Sequence, residues 1–289
     1  MKLEQPIFII GIGRSGSTVV HNILAHHPNL SWLSAVGKRY PAKPGRNRML
    51  MQALDVPVLG SMLAKRFTPW ECFDFWEHHA KGFRRTCRDL VPGDVTERNK
   101  KKMRKVLAEL TTPKRNRLMF KATGWPRIGY LREIFPDARF IHVLRDGRAV
   151  VNSMINVGWW LGYQGPQNWR WGELNEEHKA EWERHNRSYV ALAAIQWKIA
   201  MEAVEQGRQY LGDDQFFELR YETLLSDPVN TMRRVLEFAG LPWRDSFQRS
   251  VESYGLRNMN VRWTSELTVD QQQTVQDVLA PALHRLNYE

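Results

Sequence analysis

Short uninterrupted apolar runs and longer stretches of helical periodicity take turns along this chain. Four runs, Ile7–Ile10, Leu118–Lys121, Phe140–Leu144 and Phe216–Leu219, are of strand length, rich in β-branched and aromatic residues, and lack the polar alternation of a half-exposed strand. Such runs predict strands buried on both faces, as in a parallel sheet. Elsewhere the period lengthens. Asp227 and Pro228 supply an N-cap and a first-turn proline, Met232, Val235, Leu236 and Ala239 recur at helical spacing, and Gly240 stands where a helix stops. Further helices are predicted over Val190–Tyr210 and Thr268–Leu286, the last as a closing element. Strand and helix in alternation predict an α/β fold: one parallel sheet covered by helices on both faces, with ligands bound beyond the strand C-termini. With 289 residues and 43% hydrophobic content, a single domain over 1–289 has the material for its own core.

Two segments depart from that rhythm. Residues 34–117 form a long insertion after the first strand–helix unit. Within it Met103, Val106, Leu107 and Leu110 make an apolar stripe, and Lys100, Lys101, Lys102, Arg104 and Lys105 occupy the opposite face, so the insertion is predicted to be helical and basic. The formal net charge of +11 is concentrated there, because Ser34 to Lys121 holds 21 Lys/Arg against 8 Asp/Glu. A charge run of this kind is either a solvated helix face or an attractor for an anionic ligand. The second segment, 158–182, sets Trp159, Trp160, Trp169, Trp171 and Trp182 among glycines and prolines. That is the pattern of an aromatic-rich loop or lid, which serves either as a platform for an acceptor molecule or as packed core.

The first strand runs into Gly11-Ile12-Gly13-Arg14-Ser15-Gly16-Ser17-Thr18, and Val19, Val20, Ile23 and Leu24 then begin a helix. Strand, glycine turn and helix in this order aim free backbone N–H groups at an anion, so the sheet is P-loop-like. Against the triphosphate-binding pattern GxxxxGK[ST], the glycines fall at Gly11 and Gly16 and the hydroxyl at Thr18, but Ser17 replaces the lysine that holds the β- and γ-phosphates. This argues against a nucleoside-triphosphate kinase or switch protein. Arg14 offers a cation to a shorter 5′ group instead.

The third apolar run ends in Arg145-Asp146-Gly147-Arg148, with Ser153 two helical turns on. A guanidinium fork and a hydroxyl at a strand end suit a terminal phosphate, unless Arg145 is simply paired with Asp146. With both motifs in place, the chain resembles the PAPS-dependent sulfotransferases (PAPS is 3′-phosphoadenosine-5′-phosphosulfate), particularly the bacterial group related to tyrosylprotein sulfotransferases. Gly13 to Thr18 resembles that family's 5′-phosphosulfate loop, with Arg14, Ser15, Gly16, Ser17 and Thr18 as cofactor contacts. Arg145 and Ser153 resemble its 3′-phosphate pair, and Phe120-Lys121 its lysine near the sulfuryl group. Arg220-Tyr221-Glu222 ahead of Asp227-Pro228 is similar to its late strand-to-helix segment, placing Tyr221 at the cofactor. Arg262-Trp263 looks like a basic–Trp pair closing over it.

The resemblance implies in-line sulfuryl transfer from PAPS, leaving PAP, to a hydroxyl or amine acceptor. A carbohydrate, a phenolic or alkyl hydroxyl, a lipid headgroup and a peptide tyrosine all stay open, with a small molecule or carbohydrate favoured by an expected cytoplasmic location. Arg14, Lys121 and the N–H groups of Ser15 to Thr18 would stabilise the leaving oxygen, and no metal is implied. The general base is not where relatives carry it. Ser31-Trp32-Leu33-Ser34-Ala35 has no carboxylate, and Thr123 stands where other sulfotransferases have a histidine. Glu71, in Pro69-Trp70-Glu71-Cys72, resembles a Pro-x-Glu substitute, although an arginine partner would equally account for it; His21 is the second candidate. A nucleic-acid partner is not expected, since the basic insertion carries no recognition motif. Cys72 and Cys87 have neither disulfide-framework nor metal-ligand spacing. The stretch from Met1 to Pro6 leads into a run of about five residues, far short of a membrane span of roughly 20, so a cytoplasmic location is expected.

Overall fold

The computed structural model describes residues 3–84 and 87–288; Met1 and Lys2, at the head of the N-terminal stretch, lie outside the described residues. Among these residues β1 (Ile7–Gly11), β2 (Leu30–Trp32), β3 (Arg117–Thr123), β4 (Arg139–Leu144) and β5 (Phe216–Arg220) form one sheet in the order β2-β3-β1-β4-β5. Every neighbouring pair is parallel. Four of the five are the predicted strands. The fifth, Leu30-Ser31-Trp32, is too short to show a period, and its place comes from tertiary pairing of Leu30 with Arg117 and Trp32 with Met119.

The β1 side chains divide between the two faces of the sheet with the strand period of two. Phe8 and Ile10 pack with Phe120, Phe140, Trp76 and Leu131, and Ile7 and Ile9 pack with Val20, Ile141, Met232 and Val235. The first group contains the insertion's own aromatics. Trp76 stacks on Phe83 at 4.5 Å and meets Phe120 at 4.6 Å, and Met103, Val106 and Leu107 of the helix Glu97–Ala108 are buried alongside. The later part of the insertion, with Phe75, Trp76, Phe83, Met103 and Leu107, therefore covers this face of the sheet, while Leu50 and Met51 of its earlier part join the cluster on the opposite face. Part of the basic stripe holds that cover in place: Lys100 pairs with Glu133 at 2.5 Å, and Arg104 donates to the Ile134 carbonyl at 2.6 Å.

A third apolar cluster surrounds the helices Tyr189–Arg208 and Val269–Arg285 and takes in Trp160, Trp169, Trp171 and Trp197. Truncating a buried tryptophan of this kind costs about 3–5 kcal/mol. The helix Pro228–Ala239 ends as its sequence predicts: Gly240 takes φ 64°, and the Leu241 N–H closes on the Leu236 carbonyl at 2.8 Å. Its other end is capped by Asp227, whose carboxylate accepts from the Asn230 N–H at 3.2 Å, worth about 1 kcal/mol. None of the described helices is long and apolar enough to cross a membrane.

Candidate active site

The loop after β1 is shaped by two left-handed residues, Arg14 at φ 74° and Gly16 at φ 93°. Gly16 is obligatory on a second count, because a Cβ there would lie 2.3 Å from the Tyr221 ring. The turn closes on itself when the Ser15 N–H donates to the Ile12 carbonyl at 3.2 Å. Ser15 uses its N–H in this turn, and its hydroxyl is buried, outside the lining of the cavity described below. The helix Ser17–Ala25 begins next. The N–H groups of Gly16, Ser17 and Thr18 have no backbone acceptor among the described residues and form the positive end of that helix.

Arg145, at the end of β4, forms no ion pair with a carboxylate among the described residues. Asp146 does not pair with it but forms a two-pronged ion pair with Arg148, at 2.8 Å through Nη2. Arg145 is instead held by neutral acceptors. Its Nε donates to Asn260 Oδ1 at 2.7 Å, its Nη1 donates to the Arg14 carbonyl at 2.9 Å, and its guanidinium lies 4.9 Å from the Tyr221 ring centroid. Burial pulls its pKa down from the ordinary arginine value, so this side chain carries an undercompensated positive charge. Arg14 reaches across to the same place, donating from Nε to Ser153 Oγ at 2.8 Å.

These groups line one cavity of about 970 Å³ at the C-terminal edge of the sheet, together with Gly16, Ser17, Thr18, Lys121, Tyr221 and Arg262. Arg262 sits at its exposed rim, ion-paired to Glu266, whose other oxygen accepts from Asn152 Nδ2 at 2.6 Å. Two supporting residues escaped the sequence reading. Asn260 orients Arg145, and Glu222 orients Asn260, accepting from its Nδ2 at 2.9 Å and also from the Asp146 N–H at 3.1 Å and the Tyr288 hydroxyl at 2.9 Å. Glu222 follows Tyr221 directly and could have been suspected. Asn260 opens a single 3-10 turn, Asn260–Arg262, that carries no local sequence signal.

A second cavity of about 410 Å³ adjoins the first, and both are lined by Gly13, Glu71, Thr123 and Trp159. Its walls are aromatic, with Phe73, Trp125, Trp160, Trp169 and Trp171. Trp160, Trp169 and Trp171 are buried core residues that also line this cavity, while Trp159 is 61% exposed at the junction. Trp182 lies on the helix Glu176–Arg184 and lines neither cavity.

Glu71 stands on the wall between the cavities and has no arginine partner among the described residues. Its Oε1 accepts from Thr123 Oγ1 at 2.5 Å and lies 3.3 Å from Lys121 Nζ, which also donates to Thr18 Oγ1 at 2.7 Å. Lys121 thereby bridges the loop after β1 and the carboxylate, and Glu71 Oε2 remains without a hydrogen-bond partner among the described residues. His21 is not brought to this place. It is buried, its ring nitrogens have no partners among the described residues, and it lines neither cavity, so it has no route to an acceptor.

Burial, reinforced by the Lys121 charge, holds the His21 imidazole well below its ordinary pKa and hence neutral. The unfolded chain binds this proton more readily than the folded one, so the contribution is complete above the unfolded value and lost as pH falls below it. Stability should drop by up to about 1.4 kcal/mol per pH unit below about pH 6.5. Urea unfolding at pH 7.5 and 5.5 should show a shallower pH dependence for His21→Leu than for the native chain; equal slopes would remove His21 as the cause.

Fold and site together define an α/β protein with a cation-lined cavity at the sheet edge and an aromatic cavity beside it. A family model described as "Sulfotransferase family" matches residues 6–245, and the chain belongs to that family. Among curated relatives it is similar to the omega-hydroxy-beta-dihydromenaquinone-9 sulfotransferase Stf3 of Mycobacterium bovis, 26% identical over 56% of this chain and 39% of that one. It is also similar to protein-tyrosine sulfotransferase A of Caenorhabditis elegans, 25% identical over 55% of this chain and 41% of that one. The chain thus spans about two-fifths of the length of these relatives. Its fold is shared with the crystal structure of sulfotransferase STF9 from Mycobacterium avium, at TM-score 0.57 and 19% identity over 99% of this chain and 77% of that one.

Proposed function

We propose that this protein transfers a sulfuryl group from PAPS to a hydroxyl or amine of a ring-bearing small molecule or carbohydrate, without a metal. The observation that carries the reading is the shared wall. An anion-binding cavity and an aromatic cavity meet at Glu71 and Thr123, and Lys121 ties the carboxylate to the anion loop.

The residues present fit a bisphosphorylated nucleotide. The N–H groups of Gly16, Ser17 and Thr18, with Arg14 and Lys121, suit the 5′-phosphosulfate. Arg145, unpaired with any carboxylate among the described residues, and Ser153 suit the 3′-phosphate; Tyr221 and Arg262 border the same cavity. When bound, PAPS supplies the sulfuryl group: its sulfur–oxygen bond to the 5′-phosphate breaks and a new sulfur–oxygen or sulfur–nitrogen bond to the acceptor forms. Lys121 and the loop N–H groups stabilise the charge on the departing phosphate oxygen, each such donor being worth about 2.7–4 kcal/mol. Glu71 Oε2 takes the acceptor's proton while Thr123 and Lys121 hold Oε1. Aromatic walls favour an acceptor with a flat ring or a sugar face.

The test is release of PAP from PAPS in the presence of a panel of phenols, ring alcohols, amines and sugars, in buffer containing EDTA. Acceptor-dependent release with at least one ring compound supports the reading. Sulfuryl transfer that requires a divalent metal would contradict it.

A further inference from the structure

The insertion carries a surface that the site does not use. Between Ala35 and Trp70 the sequence has seven Lys/Arg and a single acid, Asp55. That acid is already committed to Lys114 at 3.2 Å and Arg115 at 3.0 Å. Lys38, Lys43, Arg46, Lys65 and Arg66 are all exposed, and none forms an ion pair with a carboxylate among the described residues.

The same stretch exposes large apolar side chains at close intervals. Met49 is 68%, Val58 75% and Met62 65% exposed, with Val56 and Leu59 also open to solvent. The backbone pushes them outward. Val58 sits at φ 65°, a left-handed conformation unfavourable for a β-branched residue. The turn is drawn tight as the Gly60 N–H donates to the Val56 carbonyl at 2.8 Å, with the Leu54 carbonyl so close to Gly60 that a Cβ would meet it at 2.1 Å. On the helix Leu59–Arg66 that follows, Leu59, Met62 and Arg66 recur at positions that share one face. Two half-exposed aromatics carry cations of their own: Lys38 Nζ lies 5.4 Å from the Trp70 ring centroid and the Arg46 guanidinium 4.0 Å from that of Tyr40.

Apolar tips, unpaired cations and half-exposed Trp and Tyr form a combination that water does not reward. A bilayer with anionic headgroups satisfies all three. Aliphatic side chains enter the acyl boundary, lysines and arginines meet the headgroup charge, and the amphipathic rings lie at the level between them. We propose that residues 38–70 are a docking surface for anionic membranes. The charge complementarity selects this occupant over an apolar protein face or a second copy of the chain, whose identical surface would repel it. The surface runs in sequence directly into Glu71, so docking would favour acceptors presented at the membrane surface. The docking itself does not depend on the proposed activity.

The full chain is tested by cosedimentation with vesicles of phosphatidylcholine alone and of phosphatidylcholine with phosphatidylglycerol. Binding is expected only with phosphatidylglycerol and should weaken as salt is raised. The double variants Val58→Asp with Met62→Asp, and Lys65→Glu with Arg66→Glu, should each lower partitioning by about tenfold or more. Both pairs are solvent-exposed, so thermal unfolding should be little changed, and PAP binding serves as a separate check on the donor site. Absence of binding to phosphatidylglycerol vesicles, or binding that both variants retain, overturns the proposal. So does a concentration-dependent dimer, formed without lipid, that the Val58/Met62 variant abolishes, because a second copy would then cover the face.

Discussion

Glutamine in place of Glu71 is expected to leave PAP binding intact and to lower turnover by about 10²–10⁴-fold, the usual contribution of a positioned acid or base. The geometry makes the substitution informative. The amide would keep an acceptor oxygen for the Thr123 hydroxyl and for Lys121, which now approach the carboxylate at 2.5 Å and 3.3 Å. What is lost is the free oxygen able to accept a proton. A fall in kcat with little change in the acceptor's KM is the expected pattern, because the amide fills the same space. Turnover at the native rate would remove Glu71 from the chemistry and leave it the lesser task of restraining Lys121.

The second large effect concerns Arg145. Alanine there removes a buried cation that faces the cavity, at an expected cost of about 2–5 kcal/mol in PAP affinity, on the order of 30-fold to several thousand-fold in Kd. It also releases Asn260 and the Arg14 carbonyl, so both halves of the cavity lose a support. Lysine at the same position should recover only part of the loss, since a point charge cannot replace two directed N–H bonds. Isothermal titration of Arg145→Ala and Arg145→Lys against the native chain checks this order. Equal affinity in all three would mean that the anion sits elsewhere.

What the sequence disclosed and what it hid divide along physical lines. Short apolar runs, the glycine turn and the Arg145 motif are all local signals, and each is found where its pattern placed it, although Phe216–Arg220 proves to be an edge strand in which Leu219 alone is buried rather than a strand covered on both faces. The helix ending at Gly240 is legible for the same reason, because capping is decided within a few residues. Features fixed by distant partners were not legible. β2 owes its existence to pairing with β3, Asn260 reaches Arg145 across 115 positions, and the wall formed by Glu71 and Thr123 joins residues 52 apart. The surroundings of Ser15 and His21 are set by packing that composition cannot show. Ser15 is consumed by the turn that it helps to make, and His21 is enclosed in the core behind the loop. The basic insertion was read as a solvated face or an attractor of the donor. Part of it instead pins the insertion to the helix Ile128–Ile134, and part forms the exposed patch at residues 38–70.

Selectivity for the donor tests the central claim most directly, because it follows from Ser17 in the lysine position and from Arg145, which pairs with no carboxylate among the described residues. Isothermal titration of the native chain with PAP in EDTA, beside titration with ATP and Mg²⁺, separates a 3′,5′-bisphosphate site from a triphosphate site. Tight, metal-independent binding of PAP with ATP binding far more weakly is the predicted result. Preference for ATP with Mg²⁺ would contradict the account.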